Sequence, residues 1–441
     1  MNHLAHNITP GFLLRFTLPS IVMMVFNAFY TIVDGGFVSN FVGTGALSAV
    51  NIVYPTQSLT LAIGIMLATG GSAVCARQMG QGDDQGAKHS FSLLLFCGAA
   101  IGLLMAVVGT VFAGPIVRLL GSNDAIFQYC YDYMFYLSLF VPFAILQVMF
   151  QFFFTTAGRP GLGLAATLLG GVANIVFDYI LIVPANLGIK GAAIATGIGF
   201  VLPSVMGLLY FSFNRKGHLC LVKPVLNLQI LGESCINGSS EMVSNLATAI
   251  TTLLFNLVMM NLLGEDGVAA ITIIFYAQFL FTAVFFGFTS GVAPLVSFNY
   301  GAENHTRLQK LYRLSLIFVG ICSALAFGGS LLLKGTVIRA FAKPGTAVYA
   351  LAEEGMTLFA IGFLFMGFNI FVSGFFTALS NGRVSAILSF LRTLVFIVAA
   401  ILLLPLLLGI NGVWLSIPFA ELLAAGVSAF YLAKLKPNYN Y

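Results

Sequence analysis

The chain has 441 residues, of which 59% are hydrophobic and only 7% charged, with a mean hydropathy of +1.00. A water-soluble globular chain carries roughly a quarter charged residues, so water is excluded as its main solvent. The net charge of +5 resolves below into a loop pattern and gives no reason to invoke nucleic acid.

Apolar runs of about 20 residues cross a bilayer as helices. In chain order such runs predict spans at 12–39, 47–75, 89–113, 129–156, 161–184, 190–213, 235–262, 268–299, 311–333, 351–378, 384–407 and 411–433, twelve in all. The two-residue alternation of a transmembrane barrel is absent, and backbone polar groups in lipid are then satisfied inside helices. The expected class is all-α membrane protein.

Lys and Arg concentrate in cytoplasmic loops. Alternate connections carry Arg77 and Lys88, Arg159, then Arg215, Lys216 and Lys223, then Arg307, Lys310 and Arg313, then Arg383, with Lys434 and Lys436 after the last span. The opposite connections hold fewer bases, so both termini are expected in the cytoplasm of a bacterial inner membrane. The first segment is too long and too weakly basic for a cleaved signal peptide. Six scattered cysteines, without a Cys-x-x-Cys pair, predict neither disulfide nor metal site.

An internal repeat is visible at a shift of 221. GTGALSA at 43–49 matches GEDGVAA at 264–270, and the same shift carries Gln57 to Gln278, Gly70 to Gly291, Gly80 to Gly301 and Pro184 to Pro405. Six spans separate each element from its copy, so the repeats run parallel. The expected organisation is a six-helix bundle at 1–213, a cytoplasmic linker at 214–234 and a second bundle at 235–441, with a cleft between the bundles.

Four acidic residues, Asp34, Asp178, Glu241 and Glu421, fall inside spans, where an Asp costs about 2.5 to 3.5 kcal/mol at the bilayer centre. The other ten, Asp132 and Glu233 among them, are read as loop residues. Asn174 precedes Asp178 by four residues on one helix face, and Thr196 is expected at a similar depth. Asp34, Asn174, Asp178 and Thr196 therefore form a candidate coupling site for Na+ as a metal ligand set, or for a shared proton. At the shift of 221, Phe255 and Ala399 stand opposite Asp34 and Asp178, so the two bundles differ in chemistry.

Glu241 is a candidate for binding a substrate cation or for reaching the cytoplasmic interface. Glu421 is expected to pair with Arg392 as a structural salt bridge. Phe29, Phe37, Phe275 and Phe279, with Met149, are candidates to line a cleft for aromatic cations. Walker A, His-Glu-x-x-His and Gly-x-Ser-x-Gly patterns are absent, which argues against an enzyme.

VDGGFVSNFVGTGALSAVNIVYP at 33–55, CARQMGQGDDQGAKHS at 75–90 and GVAPLVSFNYGAENHTRLQKL at 291–311 resemble the multidrug and toxic compound extrusion (MATE) transporters, in their DinF-like and MepA-like bacterial branch. The resemblance implies that Asp34, Asn174, Asp178 and Thr196 are coupling residues, that Gln151 and Tyr133 are polar span 4 positions of the same site, and that Pro19 permits bending of span 1. It implies a monomeric antiporter that exports small organic cations in exchange for Na+ or H+, without another cofactor. Glu241 resembles an acidic span 7 residue of the NorM-like branch, whereas that branch's span 10 acid is replaced here by Asn369. A flippase for lipid-linked oligosaccharide is the alternative. Its anionic cargo calls for bases in the cleft, and the mid-span base is Arg392. A channel needs a continuous polar lining, which the spans do not supply.

Overall fold

The computed structural model describes residues 3–441 except Lys216, and of His3, Thr31, Ile32, Asp34, Gly35, Gly36, Ser39, Asn40 and Thr44 the backbone alone. Among the described residues there is no strand. The first half contains α1 (Pro10–Phe41), α2 (Thr44–Gly80), α3 (Asp84–Val111), α4 (Ala113–Leu119), α5 (Phe127–Ser138), α6 (Val141–Thr156), α7 (Pro160–Ile182) and α8 (Gly188–Phe213). The second half contains α9 (Leu228–Gly301), α10 (His305–Arg339), α11 (Ala347–Phe359), α12 (Phe363–Ala378), α13 (Gly382–Phe390), α14 (Ile397–Leu408) and α15 (Ile410–Tyr439).

Among the described residues, ten helical runs are long and apolar enough to cross a bilayer, and the bent pair α5 and α6 makes an eleventh. The twelfth lies within α9. Its 74 residues extend roughly 110 Å at about 1.5 Å each, far beyond the about 30 Å of a hydrocarbon core. Gly264, at φ 66° and ψ −149°, breaks it, a conformation that side-chain-bearing residues rarely adopt. The expected loop at 263–267 is therefore a kink.

Other departures also have local causes. Span 4 is not straight but bends by 56° between α5 and α6, where Pro142 has no N–H to donate to Ser138. Span 10 tightens into a 3₁₀ turn at Ala360–Gly362. Span 11 widens into a π-helical turn at Leu391–Phe396. The repeat extends to helix caps: Asp83 accepts from Gly86 N (2.8 Å) and its equivalent Asn304 from Arg307 N (3.1 Å).

The two halves meet along α2 and α9 in a seam with two-fold character. A Cβ on Gly80 would run into the carbonyl oxygen of Phe298, and a Cβ on Gly301 into that of Arg77. Residues 301 and 298 are 80 and 77 shifted by 221, so the same contact occurs twice with the partners exchanged, the signature of an isologous interface. The relation recurs at Gly70, which meets Ser234 and Gly238, while its equivalent Gly291 meets Thr17, the equivalent of Gly238. Small residues here let the helix backbones touch.

The seam is tightest at the end that carries both termini. Arg307 Nη1 donates to Ala5 O (2.9 Å) and Gln309 Nε2 to Asn440 O (3.1 Å), while Leu4 and Ile8 are buried against the helices. Glu233, expected in a solvated loop, lies instead in α9 and accepts both Nη groups of Arg77 (2.5 and 3.0 Å) across the seam. This end of the molecule is closed.

Candidate functional site

Helix α7 presents Thr167, Asn174 and Asp178 on one face at helical spacing, and all three are buried. With Asn27 and Tyr30 of α1, Gln147 of α6 and Thr196 of α8, Thr167 and Asn174 line a cavity of about 10 Å³. Such a space holds one water or one small cation. Both amide atoms of Asn174 are buried without a hydrogen bond among the described residues. Leaving such groups unmet costs about 1–3 kcal/mol each, so the cavity calls for a polar occupant. Thr196 Oγ1 donates to Ala192 O (3.0 Å), which leaves its lone pairs as acceptors.

Asn174 and Thr196 are thus brought together as expected, with Asp178 fully buried one turn further from the closed end. Asp34 lies in α1, and its side chain falls outside the described residues. Gln151 is one bond removed from the cavity, donating to Thr167 Oγ1 (3.1 Å), and Gln147, one turn earlier on the same face, occupies the wall instead. Tyr133 does not line that cavity; it lies in a cluster with Val53, Ile182 and Ala192 and accepts from Gln57 Nε2 (3.3 Å). Among the described residues no three His, Cys, Asp or Glu converge on a metal; the oxygens that line the cavity are amide and hydroxyl, and Asp178 follows Asn174 by one turn of α7.

The aromatic cleft is corrected at Met149 and Phe275. Met149 is fully buried against Gly98 in the core of the first bundle, because α3 and α6 pack directly there. Phe29 is 53% exposed with Leu18, Val22 and Val33, on the side of α1 opposite the Asn27 and Tyr30 face. Phe275 packs edge-on against Phe255 and Phe359 in the core of the second bundle. Phe37 stacks on Phe41 at the end of α1, and Phe279 alone of the set is an exposed side chain of α9.

The second bundle holds a filled polar site. Arg392, in the π-helical turn, donates Nε–H to both oxygens of Glu421 in α15 (2.9 and 3.1 Å). Asn369 of α12 donates to Glu421 Oε2 (2.6 Å) and Glu421 O (2.8 Å), and Ser428 Oγ donates to Asn369 Oδ1 (3.1 Å). The expected Glu421 and Arg392 pair therefore forms, in a buried network the sequence did not announce.

A polar stripe on α9 also escaped the sequence reading. Glu241, Asn245, Thr248, Thr252 and Asn256 recur at intervals of three and four, and none is fully buried. Gly238, on the same face, touches Met66 of α2. The stripe therefore faces the first bundle and lines the cleft, with Glu241 at its closed end.

Two bundles joined by a reciprocal seam, closed at one end and each holding a buried ionisable group, have the architecture of an alternating-access membrane transporter. The MatE family profile matches residues 19–180 and again 242–402. The chain belongs to the MatE family, the multidrug and toxic compound extrusion transporters. It is 25% identical over 422 residues to the multidrug export protein MepA of Staphylococcus aureus (strain bovine RF122 / ET3-1), covering 94% of this chain and 91% of that protein. A crystal structure of MATE in complex with MaL6 superposes with a TM-score of 0.92 at 22% identity, covering 99% of both chains. An outward-facing conformation of a multidrug resistance MATE family transporter gives 0.90 at 22% identity, covering 96% of both.

Proposed function

We propose that this protein is a multidrug efflux antiporter that exports small organic cations from the cytoplasm in exchange for Na+ or H+. The observation that carries the reading is the first-bundle cavity, where Asn174 offers unmet amide atoms and Thr196 its lone pairs, beside the buried carboxylate of Asp178. A cation bound there satisfies Asn174 and offsets the burial of Asp178, and a proton on Asp178 does the second alone. Asp34, in α1, is the further acidic residue that the sequence offers to this site. The similarity to MepA proteins supports drugs as cargo, and Glu241 at the foot of the polar stripe supplies a negative charge for cationic ones.

In this reading the chain spans the bacterial inner membrane with both termini cytoplasmic, as a monomer, and performs no covalent chemistry. Residues 1–213 and 235–441 act as the two lobes and 214–234 as their cytoplasmic linker. The closed end then faces the cytoplasm, the structure corresponds to an outward-facing carrier, and Pro19, beside the α1 residues that meet Gly287 and Gly291, is the bending point of α1. Arg392 is engaged by Glu421, which disfavours an anionic lipid-linked cargo. Efflux of a fluorescent organic cation from proteoliposomes, driven by an imposed Na+ or pH gradient, tests the proposal. Transport that ignores both gradients refutes the coupling.

A further inference from the structure

The repeat makes the two polar sites comparable position by position. The two family matches end at residues 180 and 402, a shift of 222 over these helices. That shift carries Gln147, Gly170 and Gly199 on the wall of the first-bundle cavity onto Asn369, Arg392 and Glu421. The Arg392–Asn369–Glu421 network thus occupies the place that the cavity occupies in the first bundle. Where the first bundle has a glycine and room for one small cation, the second has an arginine whose guanidinium fills the room.

Three further features mark this as a cation position and not ordinary packing. Glu421 is held from two sides, by Arg392 and by Asn369, and Asn369 is itself fixed by Ser428. The backbone carrying Arg392 is a π-helical turn, an irregularity that concentrates at functional sites. Arg392 Nη1 and Nη2 make no hydrogen bond among the described residues.

We propose that Arg392 is a resident cation, occupying the second bundle's equivalent of the coupling-ion site, so that of two related sites only the first exchanges an ion with solvent. The inference rests on the reading of the first-bundle cavity as that site. Removing the guanidinium leaves Glu421 beside an empty space and converts the second bundle into a binding site for a small free cation.

The test is chemical rescue of purified Arg392→Ala, followed by thermal unfolding with methylguanidinium or Na+ titrated at constant ionic strength. The variant is expected to unfold at lower temperature than wild type and to recover most of that loss as methylguanidinium saturates, whereas wild type does not respond. Arg392→Ala combined with Glu421→Gln has no buried charge left to neutralise and is expected to show no rescue. If Arg392→Ala does not accumulate, Arg392→Ser, which leaves the same space open beside Glu421, is read in the same way.

Absence of rescue, or equal rescue of the Glu421→Gln double variant, overturns the proposal. Gradient-driven efflux by the wild type is measured in parallel and separates the two ideas. Coupled efflux without rescue defeats the resident cation alone, whereas rescue without coupled efflux defeats the transport reading and leaves the cation position standing.

Discussion

Gly80→Ala is expected to pry open the closed end. Its new Cβ would overlap the carbonyl oxygen of Phe298, with Ala302 N and Phe298 C each 2.9 Å away. All three are backbone atoms, so no flexible side chain yields and the helices must separate. Overpacking of this kind costs about 1–3 kcal/mol, and the cost falls on the closed state because the alternative state parts the seam. The closed population should then drop about 5- to 150-fold relative to the open one. Spin labels at exposed Gln85 and its repeat equivalent Thr306, in a background stripped of the six cysteines, report the separation of the lobes at this end by pulsed electron resonance. A longer distance should appear in Gly80→Ala and equally in Gly301→Ala, since the contact is reciprocal. The double variant should be less than additive, because a seam already parted has no clash left to relieve. Gly320→Ala, whose Cβ meets nothing within 4 Å, serves as control. Distributions for Gly80→Ala and Gly301→Ala that match the control refute the argument.

Three further outcomes follow from the same geometry. Arg77→Gln should weaken the closed state by only about 1 kcal/mol, since the ion pair with Glu233 is partly solvated, with side chains 21% and 27% exposed; the same spin labels check it, and exchanging the two charges should restore the wild-type distribution. Gly199→Ala should abolish ion coupling while leaving the protein folded, because its Cβ sits 3.1 Å from the Asn174 Cβ and takes room from a cavity with space for one small ion; coupled efflux at the wild-type rate contradicts it. Pro19→Ala restores a backbone N–H within α1 and should slow exchange in proteoliposomes more than it alters equilibrium drug binding. Equal effects on both would remove Pro19 from the switching step.

Much of the fold was legible because hydropathy and length alone define membrane helices. The shift of 221 also foretold which glycines matter, although only the coordinates reveal that Gly80 and Gly301 face each other's neighbours. The bend between α5 and α6 was hidden because Pro142 sits inside an unbroken apolar run. Glu233 was misread since its partner Arg77 lies 156 residues earlier, and no local pattern announces a pairing of that range.

Of the first-bundle site, Asn174, Thr196 and Asp178 were legible from their cost in lipid. Gln147 was not, although its spacing of four from Gln151 was a usable signal. Phe275 and Met149 were misplaced for a different reason. Aromatic and sulfur side chains serve equally well against lipid, in a core or along a cleft, and composition does not say which face they take. The polar stripe from Glu241 to Asn256 was present in the sequence as a helical period and passed unread among apolar neighbours.

The central claim is that a cation or proton at Asp178 drives export. Its most direct test is uptake of a fluorescent organic cation into inverted membrane vesicles containing wild type or Asp178→Asn, under an imposed Na+ gradient and then an imposed pH gradient. The account predicts that wild type responds to at least one gradient and that Asp178→Asn, inserted at equal level, responds to neither. Gradient-driven uptake by Asp178→Asn at the wild-type rate would contradict it.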